Sequence, residues 1–393
     1  MFFVFPVFFF FCLPFGTFVL SVLTALWTFS SFFMWNSARL KQVLHNRKFW
    51  WMLSFFILTV ISAFLSSNGS EAFMAIEVKL TFLLFPYLFF GFDWPEDIVK
   101  RSMVSFVSGS FFACAILLIR AVFYAAQGQT DYFYYTLFSA IIHPSYFSMY
   151  LCTALSIVLL CYPKWFKDHP RYLFLSYGFS AVFILCIFLC ASKLGIIAFF
   201  VIIPILLLQR VRFTLQKGLL FLLLFIAAIW LSSFLFPSVF ERLASVKSIA
   251  TQQIDKTTVE STGVRILIWK EALAIIQQNV WMGVGVGDAN DRLYAAYEQA
   301  GLSGALEHRF NAHNQYLQSF IGMGLPGLLL LLVLTFGQVL DAIRTKNTLL
   351  LVFGVLLVMN FMVESMLQTV AGVLYVALFY CLFNHPRFKS LTA

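Results

Sequence analysis

Long apolar stretches alternate with short polar ones from one end of the chain to the other. Stretches able to cross a hydrocarbon core, about 20 residues each with several shorter, fall at 2–13, 16–34, 50–66, 72–91, 102–124, 143–162, 173–190, 194–208, 218–236, 314–340, 348–364 and 367–383. The pattern predicts an all-α polytopic membrane protein of about 12 transmembrane helices. Residues 2–34 are long enough for one helix, but Pro14 and Gly16 at the midpoint favour two joined by a tight hairpin turn. Neither a basic leader nor a small-residue cleavage site marks this segment as a signal peptide. The longest polar interruption, 237–313, divides the chain into transmembrane helices over 1–236, a large outer loop domain over 237–313, and transmembrane helices with a tail over 314–393.

Composition supports the membrane assignment. Hydrophobic residues make up 61% of the chain and charged ones 11%, too little charge to cover a soluble core of this size. A secreted disulfide-framed domain and a nucleic-acid-binding domain are excluded. The net charge of +9 acquires meaning by position. Most Lys and Arg fall in 35–49, 92–101, 163–172, 209–217, 341–347 and 384–393, which share one side if both termini are cytoplasmic. The 237–313 loop then lies on the outer face. The cysteines all lie within or at the ends of apolar stretches and read as small hydrophobes.

A few charges remain inside the apolar stretches. Lys79 sits roughly 10 Å below the outer end of its span at ~1.5 Å per residue. Arg120 and Lys193 stand near outer helix ends, and Glu77 and Glu364 also lie in outer halves. Such charges line a site, pair together or snorkel to the interface. Together they predict a basic pocket on the outer face for something anionic. His143, beside Pro144 and Tyr146, fits an interfacial anchor or an acceptor contact. Glu364 and Gln368, taken as one turn apart, fit either sugar hydroxyl contacts or, for Glu364, pairing with a bundle cation.

Within the outer loop, residues 264–277 read as a helix capped by Thr262. Arg265, Ile268, Trp269, Ala272, Ile275 and Ile276 share one face, opposite Lys270, Gln277 and Gln278. Arg265 therefore occupies the apolar face, either packed over Trp269 or turned to an anion. Gly283, Gly285 and Gly287 follow a helix rather than a strand, so they read as a helix stop and turn, not a nucleotide fingerprint. His313 and Asn314 stand at the mouth of the next span, and Gly324-Leu-Pro-Gly327 should break or kink it.

The run from His313-Asn314 through nine residues to Gly324-X-X-Gly327 resembles the signature of bacterial O-antigen ligases, a superfamily shared with O-antigen polymerases and pilin oligosaccharyltransferases. Gly263-Val-Arg265 with Trp269 and the glycine turn, Ser192-Lys193 ahead of a helix, and a long loop between late spans fit as well. The resemblance covers about residues 190–370. This chain has Lys193 where the family usually has Arg, which keeps the charge and gives up the bidentate fork.

The resemblance implies a glycosyltransferase seated in the inner membrane with its active site facing the periplasm; no metal cluster of carboxylates is visible in the sequence, so a metal-independent enzyme with no cofactor is expected. Its donor would be a glycan on undecaprenyl pyrophosphate, its acceptor a lipid A–core sugar hydroxyl, and transfer would invert. On this reading Arg265 and Lys193, helped by Arg120, hold the pyrophosphate and stabilise the leaving group. His313 takes the acceptor proton, since imidazole exchanges protons near neutral pH. The supporting set is Asn314, Trp269, Gly324, Gly327, Glu364, Gln368 and His143. A polymerase of the same superfamily is the alternative within the class. A transporter or flippase of an anionic lipid is the alternative outside it, disfavoured because the charges avoid the midplane and no paired half-repeat is visible.

Overall fold

The computed structural model describes residues 2–208, part of 223–237, and 254–388. The described residues are helical, with no strand among them. The first half comprises α1 (Val4–Cys12), α2 (Thr17–Phe32), α3 (Ser37–Leu44), α4 (Arg47–Phe64), α5 (Gly69–Lys79), α6 (Thr81–Phe90), α7 (Glu96–Ala125), the one-turn α8 (Tyr135–Phe138), α9 (Pro144–Trp165), α10 (Pro170–Leu189) and α11 (Lys193–Leu208). After residue 253 come α12 (Ser261–Gln278), α13 (Ala289–Ala300), α14 (Ser303–Glu307), α15 (Gln315–Thr345), α16 (Thr348–Val363) and α17 (Val370–Asn384).

Six of these units are long and apolar enough to cross a membrane: α4, α5 with α6, α7, α9, α10 and α15. Shorter apolar helices are α1 with its 3-10 extension, α2, α11, α16 and α17. The expected span at 218–236, the inner segment 209–217 and the end of the tail lie wholly or largely outside the described residues. Residues 2–34 form two helices. A 3-10 turn over Leu13–Phe15 ends the first, and Gly16 turns the chain with φ 126°, a value glycine adopts without steric cost.

Aromatic rings fill the bundle. Trp27 is fully buried and touches Phe9, Phe85, Phe89 and Trp94, while Phe89 stacks on Trp94 at 4.4 Å. Such pairs add to area burial through their edge-to-face and stacked geometry. α17 is buried from Gly372 to Asn384. Its Tyr375 stacks on Tyr150 of α9 at 5.1 Å and shares a 2.7 Å hydrogen bond with Thr153. A central helix with a polar tie of this kind is what helix packing in lipid requires.

Residues 254–313 build a small helical unit with its own core, made of Ile268, Ala272 and Ile276 on α12 with Leu293 and Tyr297 on α13. The apolar stripe expected on α12 is the buried one, and Lys270, Gln277 and Gln278 are exposed. Its cap differs from expectation. Glu260, not Thr262, accepts the N–H groups of Thr262 and Gly263, both at 2.8 Å.

This unit is joined to the bundle at the break in α15. Gly324 has φ 62° and ψ −161°, so the helix is interrupted there. The carbonyls freed by the break are taken up by the glycine turn: Val284 donates to Ile321 at 2.8 Å and Gly285 to Gly322 at 3.0 Å. Leu325 in turn donates to Val280 at 2.8 Å. A Cβ on Gly324 would sit 2.3 Å from the Trp281 oxygen, and one on Gly283 2.5 Å from the Ile321 oxygen. Ser62 of α4 closes the seam, donating to Gly322 at 2.7 Å and accepting from Val286 at 3.0 Å. Asp288 accepts from Ser67 and Asn68 at 2.8 and 2.7 Å. Burial works to raise its pKa, but these N–H groups prevail and hold it below the ordinary carboxylate value.

Candidate functional site

Where the loop unit meets the bundle, a cavity of about 400 Å³ opens among the start of α11, the first turns of α12, the start of α9, residues 310–313 and the end of α16. That volume is in the range of small-molecule sites. Its walls bring together Lys193, Arg265, His313, Glu364 and His143, which are scattered over more than half of the chain.

Arg265 is held from three sides. Its Nε donates to Val363 at 3.1 Å, Nη1 to Ser261 at 2.7 Å, and Nη2 to the Oε1 of Glu364 at 3.0 Å. A guanidinium has five N–H groups in a fixed fork, so the fork is oriented while further N–H groups stay available to an anion. Glu364 is mostly buried and faces a second partner, His313, whose Nδ1 lies 3.5 Å from Oε2. At that distance the ring and the carboxylate are in contact without a formed hydrogen bond.

The backbone around His313 is fixed with equal care. The residue sits at φ 42°, a left-handed conformation that costs a non-glycine residue energy and must be held by its surroundings. Its N–H donates to the Asn311 side chain at 2.9 Å, and the preceding Ala312 carbonyl accepts from Trp269 Nε1 at 2.9 Å. Asn314 caps α15, accepting from Leu317 at 3.1 Å and donating to Met362 at 3.0 Å. Trp269 and Asn314 therefore grip the turn that presents the imidazole.

Lys193 opens α11 and donates to Glu260 at 2.7 Å and to Thr262 at 2.9 Å. Burial pushes the Glu260 carboxyl up, but the Lys193 ammonium and the two capping N–H groups outweigh it and leave the pKa below the ordinary value. One carboxylate thus caps α12 and anchors the cation at the head of α11.

Other expected residues lie elsewhere. Arg120 is absent from the cavity wall; its guanidinium donates to the Leu137 carbonyl at 2.8 Å and lies over the Tyr124 and Tyr132 rings. Lys79 is buried and contacts the Ala75 carbonyl at 3.5 Å. It lines a separate cavity of about 10 Å³ with Gln315, Gln318 and Gln368, so the basic outer pocket draws on neither Lys79 nor Arg120. Gln368 also parts from Glu364, because the chain between them is extended and then a 3-10 turn rather than one helical turn. Gly324 and Gly327 shape α15 and do not line the cavity. His143 does line it, with its ring 6.4 Å from Tyr135 and 6.0 Å from Tyr146.

Sequence reasoning missed Glu260, Tyr135 and Ser145, and named Ser192 only as part of the Ser192-Lys193 stretch. Ser145 contacts both Glu364, at 3.5 Å, and Ser192, at 3.3 Å. Glu260 had a local signal, an acid directly ahead of a helix; Ser145 had none.

The class defined here is a multi-pass helical membrane protein with a cavity where paired cations face a histidine–carboxylate couple. The family model described as O-antigen ligase matches residues 178–332, so over that segment the chain is similar to a family whose members are membrane enzymes that transfer glycosyl groups. The matched segment contains Lys193, Arg265, Trp269, His313, Asn314, Gly324 and Gly327; Glu364 falls beyond it. No curated protein matches the chain.

Proposed function

We propose that the protein is an O-antigen ligase, moving a glycan from undecaprenyl pyrophosphate to a sugar hydroxyl of lipid A–core on the periplasmic face of the inner membrane. The observation that carries the reading is the convergence of Arg265, Lys193, Glu364 and His313 on one cavity. In this reading both termini are cytoplasmic and the 237–313 loop is periplasmic.

The chemistry follows from the contacts. His313 Nδ1 faces a carboxylate, which favours a proton on that nitrogen and leaves Nε2 with a lone pair. Nε2 takes the proton of the acceptor hydroxyl as its oxygen attacks the anomeric carbon of the donor sugar. The glycosidic C–O bond to the pyrophosphate breaks with inversion, and the bonding pair leaves on the pyrophosphate oxygen. Arg265 and Lys193 stabilise that developing charge. Glu364 orients both partners and keeps the empty cavity from carrying excess positive charge.

The test is the lipopolysaccharide of a strain lacking the protein. Ligase activity requires loss of the whole O-antigen ladder with polymer accumulating on the lipid carrier. Core carrying single repeats would contradict the reading and indicate a polymerase.

A further inference from the structure

At the other end of the bundle the ends of α3, α4, α6 and α17 enclose a second cavity, of about 450 Å³. α4 relates the two ends. Near its last turn Ser62 holds the kink of α15, and its first residue is Arg47, some 20–25 Å away at ~1.5 Å per residue. The second cavity is therefore remote from the candidate active site.

Its polar wall is basic. Arg47 and Arg387 line it with His45, Gln42, Asn46 and one carboxylate, Asp93. Asp93 accepts from the Gln42 amide at 3.5 Å. Among the described residues Arg47 has no carboxylate partner. His385 is buried in the same wall, and burial lowers its pKa to about 4 despite the Phe92 backbone contact. It is neutral at pH 7, so two guanidinium groups face one carboxylate. Arg39, stacked over Phe92 at 4.6 Å, adds charge nearby.

The helices that supply this wall also carry exposed apolar side chains. Leu40, Leu44 and Trp50 are all exposed, and Trp50 Nε1 donates to the Leu44 carbonyl at 2.8 Å, fixing the indole at the α3–α4 corner. Exposed Leu and Trp beside Arg and Lys on a short helix are what a membrane interface selects. A free anion has no use for those side chains, whereas a lipid offers a phosphate for the fork-shaped guanidinium groups and chains for the exposed apolar residues of α3 and α4.

We propose that this crevice binds the phosphate headgroup of an anionic membrane lipid, with Arg47 and Arg387 on the phosphate oxygens and the acyl chains over Leu40, Leu44 and Trp50. The site is independent of the glycosyl-transfer reading. Native mass spectrometry of the detergent-purified full chain, titrated with phosphatidylglycerol or phosphatidylcholine of matched chains, tests it. Wild type should retain phosphatidylglycerol at least about fivefold better, and Arg47→Gln with Arg387→Gln should cut that retention about tenfold. Each single exchange should give an intermediate loss with an unchanged melting temperature, and Arg101→Gln, at an exposed i, i+4 ion pair elsewhere, should give none. Equal retention of both lipids, no loss in the Arg47 and Arg387 variants, or an equal loss in the Arg101 variant would overturn the proposal. Displacement of the lipid by millimolar inorganic phosphate would reassign the crevice to a free phosphate and overturn the lipid as its occupant.

Discussion

Arg265 is oriented by three contacts that use both sides of its guanidinium. A lysine could reach Glu364 or an anion, but not both at once with fixed geometry, because an ammonium is a point charge on a flexible stem. Arg265→Lys should therefore accumulate in the membrane and lose about 100-fold or more in transfer, measured with purified protein and lipid-linked donor. Near-wild-type transfer would show that charge alone suffices. Glu260 gives a prediction about stability. Glu260→Ala removes two capping hydrogen bonds and the Lys193 partner, a loss of about 1–2 kcal/mol. The carboxyl's folded pKa is depressed, so its contribution is present above the unfolded value, ~4.3, and lost as pH falls through the lower folded value. The melting-temperature gap between wild type and Glu260→Ala should be open at pH 7 and narrow as pH falls below the ordinary carboxylate value. A gap independent of pH would show that the carboxylate's charge is not what stabilises the site.

Among the elements, α15 matters most, because its break joins the loop unit to the bundle. Gly324→Ala combines a left-handed φ with a Cβ placed 2.3 Å from a backbone oxygen, which should cost about 2–4 kcal/mol. Gly337 lies in the same helix with its nearest neighbour 3.9 Å from an added Cβ, so Gly337→Ala should be neutral or stabilise by up to ~1 kcal/mol. Thermal unfolding in detergent compares the two; similar melting temperatures would refute the seam as a stabilising device. The break itself was legible in Gly324-Leu-Pro-Gly327, and the buried face of α12 in its i, i+4 spacing. What takes up the freed carbonyls was not legible, because Val284 and Gly285 reach them through the fold rather than along the helix. The cap of α12 was misread for a similar reason: Glu260 and Thr262 both offer oxygens, and chain geometry decides between them.

For the whole molecule, hydropathy revealed the helical membrane architecture, since every apolar helix must bury or shield its backbone groups within one segment. The site was legible only in pieces. Arg265 and His313 were found through the amphipathic face of α12 and a motif, but the Glu364 carboxylate that bridges them comes from the end of α16, and no periodicity links it to either. Arg120 shows the converse. Its position near an outer helix end suggested the pocket, whereas the 125–143 segment folds back and engages it with Leu137 and the tyrosines.

In the proposed mechanism the fixed cations of the cavity hold the anionic end of a donor and His313 activates an acceptor. The most direct measurement is turnover and donor binding by purified His313→Ala, with lipid-linked glycan as donor and lipid A–core as acceptor. Turnover should fall about 10²–10⁴-fold, the range for a positioned general base, while donor affinity stays near wild type, since in that mechanism Arg265 and Lys193 hold the pyrophosphate. A variant that keeps its turnover and loses donor affinity would contradict the account, making His313 a binding contact and leaving the base to be sought elsewhere in the cavity.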